Sequence, residues 1–504
     1  MATLPGHALP MSALTVTALH TFSATQLAQA YAAGVLSPVE VAQAVVAHVQ
    51  RCEPQLHATW AFDPEEALTM ARASEARWQR GRALGPLDGV PVTIKENIAT
   101  QGVAMPLGSA ASLLVPSAAD APPAARLREA GAVFVARTTM PDYGMLSSGL
   151  SSFHALARNP WDLSKTPGGS SAGAGAAAAA GYGPIHLGTD IGGSIRLPAT
   201  WCGVVGFKPS DGRVPIFPPY TGRVAGPLTR TVEDAAVAMA VLSRPDTRDA
   251  TSLPPQDIAW TSLPEDPLPA VRGLKIGLLM DAGWGLPLHP DVAAAVQRAA
   301  QRLADAGANI TPLAGFTTRE MADGINGFWR MRSWLDIWAL PDERRVKVLP
   351  YIRDWVAAAS GYSAAQLFRH HSQFAVLRDA AVAACAPFDF VISPVAPDVA
   401  GAAIAPSPTG DPLRAMEHIA YTLPFNMSGQ PAISVPCGFG AAGLPIGLQI
   451  AGRRHDDLGE LRLARAWEWL RPAVVRPWPE APFGAPAPGG DRDGAGPAAG
   501  LISA

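Results

Sequence analysis

Residues 159–209 read NPWDLSKTPGGSSAGAGAAAAAGYGPIHLGTDIGGSIRLPATWCGVVGFKP. Glycine, serine, proline, alanine and threonine dominate, and charges are few. A long loop in water normally exposes polar side chains. An uncharged Gly/Ser-rich stretch therefore predicts backbone packed tightly on backbone, and this character extends to Pro219. Within it Ala172–Ala180 predicts a helix. Gly192-Gly193-Ser194 predicts a bend at which successive N–H groups point at one spot, the arrangement an oxyanion needs; an ordinary Gly-Gly turn fits the same residues.

Outward from this stretch, strands and helices alternate. On the N-terminal side, Ser23–Gly34 predicts a short helix. Ser37-Pro38-Val39-Glu40 is a capping box with proline at the first helical position, opening a helix to about Cys52. A further helix fits Pro64–Arg80. Val90–Lys95 is β-branched at nearly every step and reads as a strand. A helix over Ala124–Ala130 turns at Gly131 into a strand over Val133–Ala136. On the C-terminal side come a helix over Thr231–Leu242, a Pro/Asp-rich connector over Ser243–Pro269, a strand over Leu274–Met280 and an amphipathic helix over Asp291–Ala306. Arg319–Ser372 carries Trp329, Trp334, Trp338 and Trp355 in helical patterning. Strands follow over Phe390–Ser393, Ala432–Pro436 and Pro445–Ile450, then a last helix over Asp457–Leu470. The alternation predicts an α/β fold. Residues 1–22 read as an N-terminal extension, and the Pro/Gly/Ala-rich residues 475–504 as a disordered tail.

The chain has 504 residues, 48% hydrophobic and 16% charged, with a net charge of −3. That balance offers no general basic field for nucleic acid. Cys52, Cys202, Cys385 and Cys437 lie far apart and fit free thiols in a reducing compartment. No Lys or Arg precedes the apolar residues of the N-terminus, so a signal-peptide n-region is missing. The longest low-charge run, Ala172–Thr189, is rich in alanine and glycine and contains His186, which argues against a membrane span. These features predict a cytoplasmic protein.

Several motifs compete for the chemistry. Gly169-Ser170-Ser171-Ala172-Gly173 matches G-x-S-x-G, but that elbow needs a strand directly before the serine. Pro160, Pro167 and Gly168 make a poor strand, although the following helix fits. Gly173, Gly175 and Ala178 match a dinucleotide loop loosely and fail for the same reason. No Gly-Lys-Ser/Thr phosphate loop occurs. Lys95 ends an apolar strand; a lysine buried there would lose solvation of its charge and become available as a neutral base, while a surface lysine at a strand end is the ordinary alternative. Of the 11 histidines, none sits beside a serine in an informative pattern. His370-His371 reads as a helix surface and His455 as a charged loop. No HExxH or other ligand spacing is present, so neither metal nor cofactor is expected.

Taken together these segments resemble the amidase signature family. The matching block runs from Asn159-Pro160-Trp161-Asp162 through Thr166–Gly173 and Gly188–Ser194 to Cys202–Pro209. Further matches are Gly89–Asn97, Gly226-Pro227-Leu228, Phe425–Ala432 and Leu444–Gln449, spreading from about residue 25 to residue 470. The resemblance implies an α/β/α sandwich around a large, mixed, twisted sheet, forming one unit over residues 23–474 with a variable helical region at about 319–372. It implies a Ser–cis-Ser–Lys triad in which Ser194 is the nucleophile, Ser170 the bridging serine on a cis peptide and Lys95 the base. The N–H groups of Ile191, Gly192, Gly193 and Ser194 would form the oxyanion hole, and Tyr143, Gly144, Met145 and Leu146 the acyl side of the pocket, with Phe328, Trp329, Trp334 and Trp338 near its mouth. The family usually has glycine where Ala172 stands, a departure that bears on local packing.

The function expected from this resemblance is hydrolysis of apolar or aryl amides, and of carbamates (urethanes), through an acyl-enzyme. The alternative is the glutaminase subunit of a tRNA-dependent amidotransferase. The first reading carries a small-molecule amide or carbamate as substrate, no nucleic acid, no membrane, and a monomer or homodimer.

Overall fold

Every residue of Pro91–Lys95 is buried, as expected of a parallel strand covered on both faces. It is one of eleven strands in a single mixed sheet described by the computed structural model, which covers residues 16–472. In chain order these are β1 (Thr59–Trp60), β2 (Pro91–Lys95), β3 (Val133–Thr138), β4 (Ile185–Asp190), β5 (Val205–Lys208), β6 (Val224–Thr229), β7 (Lys275–Leu279), β8 (Asn309–Leu313), β9 (Phe390–Pro394), β10 (Ala432–Phe439) and β11 (Pro445–Ala451). Across the sheet the order is β1-β3-β2-β4-β6-β5-β10-β11-β9-β7-β8. β2 lies parallel to β3 and to β4, and β7 parallel to β8 and β9. The centre, β4-β6-β5-β10-β11-β9, is antiparallel throughout. The fold is α/β, as expected.

Local chemistry sets the helix boundaries. Ser37 and Glu40 close the capping box that opens the helix Pro38–Leu56. That helix runs past Cys52 and Pro54 and stops where His57 turns left-handed at φ 50°. Asp63 and Thr231 cap the helices Pro64–Gln79 and Val232–Leu242 through their side chains.

The Gly/Ser-rich stretch holds more regular structure than its composition announces: β4, the helix Arg196–Cys202 and β5. All their residues are buried. They pack as closely as the missing side chains allow. A Cβ on Gly173, in the fully buried helix Ala172–Ala180, would stand 2.1 Å from the Ala58 carbonyl oxygen, and one on Gly226 2.1 Å from that of Phe207. The sequence pattern does not announce β8 either. It is a largely exposed edge strand interrupted by Pro312, where alternation is weak and proline is tolerated.

One hydrophobic cluster runs through the sheet from Leu19 to Trp467. A second gathers Trp161, Trp201, Trp329 and Trp355 beneath the helices Arg319–Trp338 and Pro350–Ala357. Part of the N-terminal extension is built in: Val16–Thr21 forms a 3-10 turn, Leu19 is buried, and the His20 ring stacks on His48 with centroids 3.7 Å apart. Residues 1–15 and the tail from Val475 lie outside the described residues. Among the described residues no helix is long and apolar enough to cross a membrane.

Candidate active site

The parallel strands β2 and β4 end side by side, with Ile94 in register with Leu187. Ligands of open α/β sheets bind beyond such carboxyl ends. Lys95, the last residue of β2, is fully buried. Its Nζ lies 2.8 Å from Ser170 Oγ, 3.1 Å from Ser171 Oγ and 3.0 Å from Thr189 Oγ1. All three contacts are hydroxyls, and among the described residues no carboxylate pairs with the amine. Burial pulls the Lys95 pKa down to about 7; Asp190 opposes the shift and Arg223 adds to it. A neutral amine has a lone pair free to accept a hydroxyl proton, so the shift converts a donor into a base near neutral pH. The Gly169–Ser170 peptide is cis, as the resemblance implied, and no strand precedes Ser170.

The turn carrying Ser194 is shaped by a buried ion pair that sequence reading leaves unassigned. Asp190, ending β4, faces Arg196 with its Oδ1 2.9 Å from a guanidinium nitrogen. The carboxylate also accepts from the N–H groups of Gly193 at 2.8 Å and Ile195 at 3.0 Å, and from Asn426 Nδ2 at 2.8 Å. Burial alone would raise the Asp190 pKa; Arg196 and these donors outweigh it and hold the carboxyl well below the usual range. Arg196 reaches on to Asn426, Gln449 and the Thr422 carbonyl. All four side chains lie inside the quoted motif blocks, but their meeting depends on strands and loops more than 200 residues apart in sequence, which no local spacing reveals. Thr422 Oγ1 donates to the Gly192 carbonyl at 2.6 Å. Gly193 has φ +127°, and a Cβ there would meet Thr422 Oγ1 at 2.7 Å, so glycine is required.

A cavity opens over these groups. Its lining includes Ser170, Ser194, Ile191, Gly192, Tyr143, Gly144, Met145 and Leu146. Among the described residues the Ser194 hydroxyl makes no hydrogen bond to a protein group, and no acceptor takes the N–H groups of Ile191 and Gly192. Gly193 departs from expectation: its N–H is held by Asp190 and does not face the cavity.

The tryptophan-rich region contributes selectively. From the helix Arg319–Trp338, Trp329, Arg332 and Ser333 line the cavity, the i, i+3, i+4 face of one helix. Trp355 joins them from the next helix. Phe328 packs instead against His371 and Phe374, and Trp334 stacks on Trp338 with centroids 5.5 Å apart. Those three point to other faces of the same helix. Asn97, Arg223 and His418 also line the cavity; Asn97 closes the motif segment Gly89–Asn97, whereas Arg223, just before β6, and His418, in the 3-10 turn Glu417–Ile419, carry no motif to mark them.

The family model named Amidase matches residues 40–459. Among curated proteins, a glutamyl-tRNA(Gln) amidotransferase subunit of Myxococcus xanthus (strain DK1622) is 37% identical over 480 residues, covering 88% of this chain and 96% of that protein. Among solved structures, a bacterial aryl acylamidase of the amidase signature family superposes with TM-score 0.82 at 29% identity, covering 90% of this chain and 96% of that one. The peptide amidase of Stenotrophomonas maltophilia gives 0.79 at 27%, covering 94% and 99%. The expectation of a small-molecule enzyme with no nucleic acid, as a monomer or homodimer, is overturned by the first of these relatives, which is named as one subunit of an enzyme named for a tRNA. Near-neutral net charge excludes only a chain that grips nucleic acid through its own general field; it is silent about one member of an assembly. From its strand order to the residues at its cavity, the chain belongs to the amidase family, the amidase signature amidohydrolases.

Proposed function

We propose that the chain cleaves the side-chain amide of glutamine as the catalytic component of a tRNA-dependent amidotransferase. The near full-length relation to a subunit of such an enzyme, at 37% identity, carries this reading. In the proposed mechanism neutral Lys95 takes the Ser170 proton as Ser170 takes that of Ser194. Ser194 Oγ attacks the amide carbon, and the developing oxyanion is received by the N–H groups of Ile191 and Gly192. Collapse breaks the C–N bond. Ser170 returns the proton to the departing nitrogen, and water then hydrolyses the ester on Ser194, regenerating the serine.

A second reading, hydrolysis of aryl amides and carbamates, is favoured by the aromatic wall of Trp329 and Trp355 and by the likeness to the aryl acylamidase structure. Apolar walls with a few polar groups suit such ligands. Measuring kcat/KM for glutamine and for a short-chain 4-nitroanilide, with and without partner subunits and glutamyl-tRNA, separates the two. Glutamine cleavage stimulated by the assembly is expected. A preferred nitroanilide and indifference to the partners would select the second reading.

A further inference from the structure

The cavity holds an arginine that forms no ion pair among the described residues. Arg223 immediately precedes Val224, the β6 residue paired with Asp190, and so stands opposite the Ile191 end of β4. Its Nε is buried without a hydrogen-bond partner, and it forms no ion pair among the described residues. Asp249 acts on it only at a distance and already accepts from Ile216 and Thr251. A second guanidinium, that of Arg332, faces the same cavity from the helix Arg319–Trp338. It lies 4.6 Å above the Tyr220 ring, with only a loose contact of 3.7 Å to the exposed Asp336. The only carboxylate among the described lining residues is Asp190, which is held by Arg196 and Asn426. Two more buried lining groups also lack protein partners: Trp329 Nε1 and both ring nitrogens of His418.

A half-buried guanidinium whose Nε is shut off from water and has no counter-charge is unfavourable unless a ligand supplies one. The planar fork of arginine matches a carboxylate in two parallel hydrogen bonds. We infer that Arg223, supported by Arg332, forms an anion subsite that recognises a carboxylate on the acyl part of the amide substrate, a few bonds from the carbonyl attacked by Ser194. The inference rests on the amide-cleaving reading of the site and deepens it. If the leaving group is ammonia, as in the glutaminase reading, discrimination must fall on the acyl part. The Trp329 Nε1–H and a His418 N–H supply further donors to the same wall.

Two measurements test this. In the first, kcat/KM is compared for the 4-nitroanilide of glutaric acid, whose acyl part ends in a free carboxylate, and for its methyl ester. The wild-type protein is expected to favour the acid at least about tenfold. Arg223→Met should bring the ratio close to one, and Arg223→Lys should restore part of it. Because the ratio is taken within one variant, partial loss of folded protein cancels. If both substrates slow equally in Arg223→Met, Arg223 serves the charge developing at the reacting carbonyl and the subsite is refuted. In the second, glutarate binding to Ser194→Ala is read by calorimetry, without turnover. Binding that weakens at least about tenfold on adding Arg223→Met supports the subsite even if no amide is cleaved, which would sink only the catalytic reading. Binding unchanged by that substitution, or none at millimolar glutarate, overturns the inference.

Discussion

At the residue scale the site turns on one lysine that has no ion-pair partner among the described residues. With its pKa at about 7, Lys95 is protonated below neutrality and able to accept a proton above it. kcat/KM should therefore rise with pH through about 7 and level off. Lys95→Arg keeps the charge but cannot deprotonate, and a loss of about a thousandfold is expected; a fully active arginine variant would refute the base role. The same shift predicts a stability slope. Between about pH 7 and the ordinary lysine value near 10.4, the unfolded chain binds a proton that the folded chain has released, so stability rises with pH across that window. Denaturant titrations should show a shallower rise for Lys95→Met. Ser194→Ala should lower turnover by about four orders of magnitude or more. Ser171→Ala removes one hydroxyl from Lys95 and two links to the Thr189 backbone, and should retain roughly a tenth of it. The reverse ranking would transfer the nucleophile to the Gly169–Gly173 motif. In the sequence these residues stand as separate fragments. Lys95, Ser170 and Ser194 become a set only through resemblance, and Asp190 stays invisible because Asn426, one of its partners, comes from the far end of the chain.

At the scale of elements, bare backbone takes over the packing that side chains provide elsewhere. The helix Ala172–Ala180 meets the Ala58 carbonyl and the Thr139 N–H through the open face of Gly173. Gly173→Ala should destabilise the protein by about 2 kcal/mol or more, because backbone, unlike the end of a flexible side chain, cannot step aside; a thermal midpoint unchanged within error would contradict this packing. This is also why β4 and β5 are hard to read from sequence. Each is buried on both faces, so no polar alternation marks it, and Gly188 and Gly206 interrupt the β-branched run that exposes β2 at first sight. Capped helices are legible because Ser37, Asp63 and Thr231 bond to their own next turn, an interaction contained within four residues.

On the scale of the whole molecule, a continuous sheet joins residues near Thr59 to residues near Ala451, and its core includes both Leu19 and Trp467. Heating monitored by tryptophan fluorescence and by activity should give coincident transitions; two separated transitions would mean that the halves fold apart. Lys95 and Asp190 belong to this sheet, whereas much of the cavity wall belongs to helices that pack around a different hydrophobic cluster. Substitutions on the face bearing Trp329, Arg332 and Ser333 therefore alter what enters the cavity while leaving β2, β4 and the Asp190–Arg196 pair undisturbed. Wall and floor thus draw on separate cores, so the helix face can be exchanged without repacking the sheet beneath it.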